Sequence, residues 1–141
     1  MAYVVEVATS WMTLPDSRVI LQRRPSTARI HPGLLGMFGG HIEYGERPDS
    51  ALRRELREET LLSTTQIGRM ALGSHVVFEL CSQITGRDDV RFHVFFDEII
   101  EPFEATDGAT EVHSMERLDA ESLSPALTYI LETEHMKRRV A

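Results

Sequence analysis

The chain has 141 residues, 42% hydrophobic and 26% charged, which is typical of one globular domain and excludes a disordered or collagen-like protein. Its formal net charge of −7 at pH 7 argues against binding duplex nucleic acid through a broad basic face. One cysteine, Cys81, and the absence of a run of about 18 apolar residues predict a cytoplasmic protein with no membrane span, in a single domain over residues 1–141.

Strands are predicted first along the chain. The Val-rich residues 3–9 indicate a first strand, and residues 19–22 indicate a short second one. Residues 25–40 contain two prolines and four glycines, a composition typical of loops and turns. Over residues 47–60, apolar side chains recur at helical spacing among many charges, which predicts an amphipathic helix.

The second half of the chain continues the alternation of strands and helices. Residues 70–81 indicate a strand, and residues 90–96 alternate apolar and polar side chains, as a strand with one buried face does. Ser124 and Pro125 form an N-cap and first-turn pair that opens a C-terminal helix. The order of elements therefore predicts an α/β fold, with a mixed sheet covered by helices on its faces.

Three glutamates of the predicted first helix are candidates for chemistry. Glu55, Glu58 and Glu59 occupy relative positions zero, three and four, so at about 100° per residue they share one helix face. Like charges at this spacing repel each other, and hard oxygen donors suit magnesium, manganese or calcium. Taken alone, the helix is better explained as an exposed helix whose neighbouring arginines neutralise the glutamates.

The glycine-rich segment before this helix favours a ligand site instead. Gly39 and Gly40 begin a segment that leads through His41 to Glu46 and into the acidic helix. We expect the glycine pair to lie in a turn, because glycine allows positive φ and a close approach of the backbone to a ligand. A backbone carbonyl of this turn could then join the carboxylates around a cation.

Together these segments resemble the signature of the Nudix hydrolases. That signature is Gly, five residues, Glu, seven residues, then Arg-Glu-apolar-any-Glu-Glu-any-Gly-apolar. Leu61 replaces the glycine that usually ends the helix, so we expect a different helix end, and Phe38 stands where the family often has proline. The resemblance implies a Nudix-type α/β/α sandwich with a mixed central sheet. The matching residues are Gly40, Glu46, Arg54, Glu55, Leu56, Glu58, Glu59 and Leu62.

The resemblance also implies a role for each matching residue. In Nudix hydrolases the residues matching Glu58 and Glu59 bind metal, and the residue matching Glu55 is a ligand or the base that deprotonates water. A carbonyl at or beside Gly40 often completes the site. Arg54 looks like an orienting partner of the catalytic carboxylates, with helix stabilisation alone as the alternative. The implied cofactor is Mg²⁺ or Mn²⁺.

Further site candidates lie outside the helix. Many family members recruit another acid from a later loop, and here we prefer Glu111 over Asp107 as that metal ligand. The arginine pair before the glycine loop could meet substrate phosphate, or could be an exposed pair at a strand end. Phe38 is predicted to be a packed core ring, whereas Trp11 could line a base pocket or cap the core. The candidate substrate contacts are Arg23, Arg24, Gly39 and His41.

The predicted function is metal-dependent hydrolysis of a phosphoanhydride bond in a nucleoside diphosphate linked to another moiety, such as a nucleoside triphosphate or a nucleotide sugar. The alternative is a regulatory Nudix module that binds a nucleotide without cleaving it, and the retained glutamates favour catalysis. A structural domain with a salt-bridged acidic helix is a third interpretation. The expected partner is a small-molecule nucleotide; a homodimer is common in the family, but the sequence marks no interface.

Overall fold

The computed structural model describes residues 4–73, 75–119 and 122–135, so Tyr3, the expected start of the first strand, lies outside the described residues. The strands are β1 (Val4–Thr13), β2 (Val19–Arg23), β3 (Leu35–Gly36), β4 (Phe38–His41), β5 (His75–Leu80), β6 (Asp89–Glu98) and β7 (Ala109–His113). The helices are α1 (Pro48–Glu59), α2 (Thr64–Gly68), α3 (Ser82–Thr85) and α4 (Pro125–Ile130), with a 3₁₀ turn at Met115–Arg117 and a π-helical turn at Leu131–His135.

The strands form one mixed seven-stranded sheet in the order β3-β2-β1-β6-β5, with β4 paired to β1 and β7 paired to β2. β1 and β6 are parallel, and the other pairs are antiparallel. β1 has two partners on one side: its residues 7–10 pair with β4, and its last two residues pair with β2. This fork places β4 beside the middle of β1, where α1 crosses the sheet.

Helices cover both faces of the sheet, as the sequence predicted. α1 packs Leu52 and Leu56 against Ala8, Phe38 and Phe95 on one face. α4 packs on the opposite face, over a second cluster of buried side chains. Within the described ranges, no helix is both long and apolar enough to span a bilayer. The second cluster contains Trp11, Val19, Leu21, Leu35, Met37, Phe78, Leu80, Val94, Ala126, Leu127 and Ile130.

Both predicted helices form, and each begins and ends for local reasons. α1 starts with a proline in its first turn, where the missing N–H costs nothing. It ends at Thr60, which is extended and whose N–H and hydroxyl both donate to the Leu56 carbonyl. Leu61 donates its N–H to the Glu104 carbonyl at 2.9 Å, so a backbone contact replaces a glycine cap. At α4, the Ser124 hydroxyl accepts the Leu127 N–H, as the sequence predicted.

Several short elements differ from the sequence predictions. Residues 25–40, expected to be loop, contain β3 and β4, and the predicted strand at 70–81 begins only at His75, after α2. α2, α3 and β7 were not predicted. The physical reason is that two- to five-residue elements show no periodicity of their own and are stabilised by pairing with distant segments.

Candidate active site

The glycine pair lies in β4, not in a turn as the sequence suggested. Gly39 pairs with Thr9 and Gly40 pairs with Ala8 in the register of β1. A Cβ atom added to Gly40 would overlap the carboxylate of Glu55, and one added to Gly39, where φ is +147°, would overlap the Ala8 carbonyl. Gly40 therefore needs to be glycine because β4 lies directly beneath the acidic face of α1, formed by Glu55, Glu58 and Glu59, and Gly39 because of its positive φ and its close approach to the β1 backbone.

Glu59 lies deepest in the acidic face. Its Oε2 atom is buried and, within the described ranges, has no hydrogen-bond partner. Burial raises the pKa of Glu59, the adjacent Glu55 carboxylate raises it further, and the Gly39 N–H donates to the Glu59 carboxylate and partly offsets the rise. Two carboxylates, one of which has an oxygen without a partner, thus lie together in a region of low dielectric, and a bound cation would offset the repulsion between them.

Glu55 and Glu58 differ in their exposure to solvent. The Glu55 side chain is 14% exposed and its Oε1 accepts a hydrogen bond from Arg54 Nη1 at 2.9 Å. The Glu58 side chain is 58% exposed, with its Oε1 3.6 Å from the same Arg54 nitrogen. The face therefore has an inner pair, Glu55 and Glu59, and an outer carboxylate, Glu58, that remains in contact with water.

Arg54 connects this face to the loop before α1. Its Nε and Nη2 donate to the two carboxylate oxygens of Glu46 at 2.8 and 3.0 Å, and Nη2 also donates to the His41 carbonyl at 2.9 Å. These contacts raise the pKa of Arg54 and lower the pKa of Glu46 to about 2. The bidentate geometry supports the orienting role: Arg54 holds the loop and Glu55 in fixed positions.

The segment 104–108 closes the site at the C-terminal end of α1. Thr106 donates its N–H to the Glu59 carbonyl at 2.7 Å and its hydroxyl to the Glu58 carbonyl at 2.8 Å. Gln22 donates to the Asp107 carbonyl at 2.9 Å from the neighbouring strand. The segment thereby brings Asp107 close enough for its charge to raise the pKa of Glu59.

Glu111, the later acid that the sequence predicts as a metal ligand, is paired with two basic side chains. It lies on β7 rather than in a loop. Arg23 donates from Nε and Nη2 to its two oxygens at 2.7 and 2.8 Å, and His113 Nε2 lies 2.8 Å from Oε1. Arg23 is the main reason that the pKa of Glu111 falls to about 2. Asp107, by contrast, lies close enough for its charge to raise the pKa of Glu59.

Arg23 and Arg24, the predicted contacts for substrate phosphate, both donate hydrogen bonds to loop carbonyls. Arg23 donates to Gly33 at 3.0 Å besides its pairing with Glu111, and Arg24 donates from Nε to Ile30 at 2.8 Å. Both side chains therefore brace the segment between β2 and β3. His41 is exposed at the end of β4, and its carbonyl accepts a hydrogen bond from Arg54.

The two aromatic candidates lie in the core. Phe38 is fully buried and its ring centroid lies 5.2 Å from that of Phe103, which confirms the predicted core ring. Trp11 is 5% exposed in the cluster beneath α4, on the sheet face opposite α1, and it also lines a cavity together with Phe96 and Ile130. The sequence does not indicate that Thr106 and Gln22 help to build the site, because nothing in their local sequence distinguishes them from other polar residues.

The residues of the acidic face fit a divalent metal. In residues 4–73, 75–119 and 122–135, no group of three or more His, Cys, Asp or Glu side chains is already arranged as a ligand set. A hard cation nevertheless requires oxygen donors of the kind found here. Glu59 offers an oxygen without a partner, the Glu55 carboxylate lies next to it, and the glycine strand lies beneath both. Such a donor set suits magnesium or manganese rather than zinc.

Comparisons with known proteins agree with this geometry. The model of the NUDIX domain family matches residues 4–138. Nucleoside triphosphatase NudI of Salmonella paratyphi B is 32% identical over 82 residues, which are 58% of this chain and 50% of that protein. The chain thus spans about half the length of the curated relatives it matches.

Solved structures share the whole fold. The MutT protein of Methanosarcina mazei Go1 superposes with a TM-score of 0.74 at 20% identity, covering 97% of this chain and 96% of that one. A bifunctional NMN adenylyltransferase/ADP ribose pyrophosphatase of Francisella tularensis, complexed with AMP and a manganese ion, gives 0.69 at 20% identity over 94% of this chain and 42% of that one. The expected α/β/α sandwich is confirmed, and the chain belongs to the Nudix family.

Proposed function

We propose that this chain is a divalent-metal-dependent pyrophosphohydrolase. Its substrate is a nucleoside diphosphate linked to another moiety, such as a nucleoside triphosphate or a nucleotide sugar. The observation that carries the proposal is the buried, unpartnered oxygen of Glu59 beside Glu55, because a divalent cation would give that oxygen a partner and would offset the repulsion between the two carboxylates.

Family relatives support the same chemistry. NudI is named a nucleoside triphosphatase, and the Francisella tularensis protein was solved with AMP and manganese. Both names concern phosphoanhydrides of nucleotides. We carry over to this chain only the substrate class that they share.

Glu55 and Glu59 would hold the cation, with the Gly40 carbonyl and Asp107 as further oxygen donors, and Glu58 lies at the outer side of the same helix face. A bound divalent cation neutralises phosphate oxygens and lowers the pKa of a bound water. Arg54 keeps the Glu55 carboxylate in place through the 2.9 Å hydrogen bond, so that the ligands need little reorganisation when substrate binds.

Proton removal is assigned to the outer carboxylate. Glu58, at 58% exposure, is the glutamate of this face that can pass a proton directly to bulk water, whereas Glu59 is enclosed. The attacking water loses its proton to Glu58 as its oxygen bonds to phosphorus, and the bridging oxygen leaves with the second phosphate. His41, exposed at the end of β4, is the candidate contact for substrate phosphate.

Retention of the complete acidic face favours catalysis over a regulatory module that only binds nucleotide. All three glutamates are present, and Arg54 orients Glu55. A module that binds without cleaving would need neither the enclosed Glu59 nor this orientation. The two functions differ in turnover, which can be measured directly.

The test measures release of phosphate or pyrophosphate from nucleoside triphosphates, nucleotide sugars and dinucleotides, with magnesium, with manganese and with chelator. Glu58→Gln should lower kcat at least about a hundredfold, equivalent to about 2.7 kcal/mol of transition-state stabilisation. Glu101→Gln makes the same charge change at an exposed residue outside the site and should retain full turnover. Near-normal turnover of Glu58→Gln would refute the role of Glu58. No turnover on any substrate, with nucleotide binding intact, would indicate the regulatory module.

A further inference from the structure

Thr110 shares an unusual property with Glu59. Among the described side chains that are not exposed, two polar atoms are buried without a hydrogen-bond partner, namely Glu59 Oε2 and Thr110 Oγ1. A buried hydroxyl without a partner costs free energy, because it has given up its hydrogen bonds with water and has gained none in return. Glu59 belongs to the acidic face of α1, and strand pairing places Thr110 beside the same site.

Thr110 projects from the sheet face that α1 covers. It lies on β7 directly opposite Gln22 of β2, and residues directly opposite each other in antiparallel strands share a face. Two positions further along, Val112 lies opposite Ile20, and both pack in the cluster beneath α1. Because side chains alternate along a strand, Thr110 and Gln22 point to that same face, whereas Glu111 points to the opposite one.

Gln22 and Thr110 border the segment that closes the acidic site. The Gln22 side-chain amide donates to the Asp107 carbonyl at 2.9 Å, and the Asp107 charge raises the pKa of Glu59. The preceding residue, Thr106, binds two carbonyls at the end of α1. The Thr110 hydroxyl therefore lies next to the segment that reaches the glutamates, on the face of the sheet above which they stand.

We propose that Thr110 is a positioning residue of the cation site, where its Oγ1 atom accepts a hydrogen bond from a water molecule that is bound with the cation. This inference rests on the proposed function, since it assumes the cation that Glu55 and Glu59 would hold. Magnesium takes about six oxygen ligands and usually keeps several of its waters in protein sites. A hydroxyl oxygen is a suitable acceptor for such a water, which would supply the partner that Thr110 lacks.

The role of Thr110 has opposite consequences for the protein with and without the cation. Valine is similar in shape to threonine, so Thr110→Val removes a buried, unpartnered oxygen and leaves a methyl group in its place. Without metal, the variant should be more stable, with Tm raised by about 4 °C. With manganese, it should bind the cation about tenfold more weakly, because the water loses its acceptor. A hydroxyl that only stabilises the fold would instead lower Tm when removed and leave the affinity unchanged.

Two measurements on the full chain test this inference. Thermal unfolding is recorded in the presence of chelator, and manganese binding is measured from the electron paramagnetic resonance signal of the free ion. Thr110→Ser restores the hydroxyl and should return the Kd for manganese to within about twofold of that of the unmodified chain. The matched control is Thr85→Val, because Thr85 is also buried but its hydroxyl donates to the Asp88 carbonyl. That control should lower Tm and leave the Kd unchanged.

The outcomes separate the role of Thr110 from the proposed function. A higher Tm of Thr110→Val in chelator, weaker manganese binding, and recovery of binding in Thr110→Ser are the expected results. If the unmodified chain binds manganese and Thr110→Val binds it with the same Kd, or if Thr110→Val lowers Tm in chelator, the role of Thr110 alone is overturned. An unmodified chain that binds no manganese would overturn both the role of Thr110 and the metal-dependent function.

Discussion

Replacement of Arg54 by lysine keeps the positive charge but removes the planar guanidinium that connects the loop to α1. Arg54 donates two hydrogen bonds to Glu46 at 2.8 and 3.0 Å, one to Glu55 at 2.9 Å and one to the His41 carbonyl at 2.9 Å. A single ammonium group on a flexible stem cannot reproduce this fork. We expect the lysine side chain to retain one or two of these four hydrogen bonds.

The magnitude follows from the burial of these partners. A hydrogen bond to a charged group contributes about 1.5–3 kcal/mol when protected and well under about 1 kcal/mol when exposed. The side chains of Arg54, Glu46 and Glu55 are 25%, 17% and 14% exposed, between these limits. Loss of two contacts should therefore lower the free energy of unfolding by about 2 kcal/mol, and Tm by about 6–8 °C for a domain of this size.

Urea unfolding and steady-state kinetics measure the two consequences separately. Arg54→Lys should unfold at lower urea, and kcat should fall about tenfold with little change in KM, because Glu55 loses its orientation while the substrate contacts remain. Arg57→Lys is the matched control, since Arg57 lies exposed on the same helix. The assigned role of Arg54 is refuted if Arg54→Lys stays within about 0.5 kcal/mol of the unmodified chain, or if Arg57→Lys loses as much.

Two further substitutions test the surroundings of the site. Arg23 lowers the pKa of Glu111 from 4.5 to about 2, so this ion pair stabilises the fold above about pH 4.5 and is lost as pH falls toward 2. The Glu111→Gln variant should be about 1 kcal/mol less stable than the unmodified chain at pH 7. The difference between their urea midpoints should vanish near pH 2, and a difference that persists there would contradict the ion pair. In Gly40→Ala the added methyl group would overlap the Glu55 carboxylate, so kcat should fall at least about tenfold. Gly68→Ala places its methyl group in open space and should leave kcat unchanged. Equal kcat values for the two variants would contradict the close approach of Gly40 to Glu55.

Structural features that depend on residues close together in the sequence could be predicted from the sequence alone. The apolar spacing of Ala51, Leu52 and Leu56 places one face of α1 in the core, because helical geometry relates residues three and four apart whatever surrounds them. The same geometry puts Glu55 and Glu59 side by side. Ser124 likewise caps α4 as expected, since an N-cap bonds within its own first turn.

Contacts between distant segments could not be predicted in this way. Gly39 and Gly40, which have turn-like composition, form a strand because this segment pairs with residues 7–10 of β1. The sequence does not indicate that Arg23, 88 residues earlier, binds Glu111, or that Thr106, next to Asp107, binds the end of α1. Local periodicity therefore determines the acidic helix face, whereas the enclosure of Glu59, on which the proposed chemistry rests, depends on long-range pairing that a linear pattern does not encode.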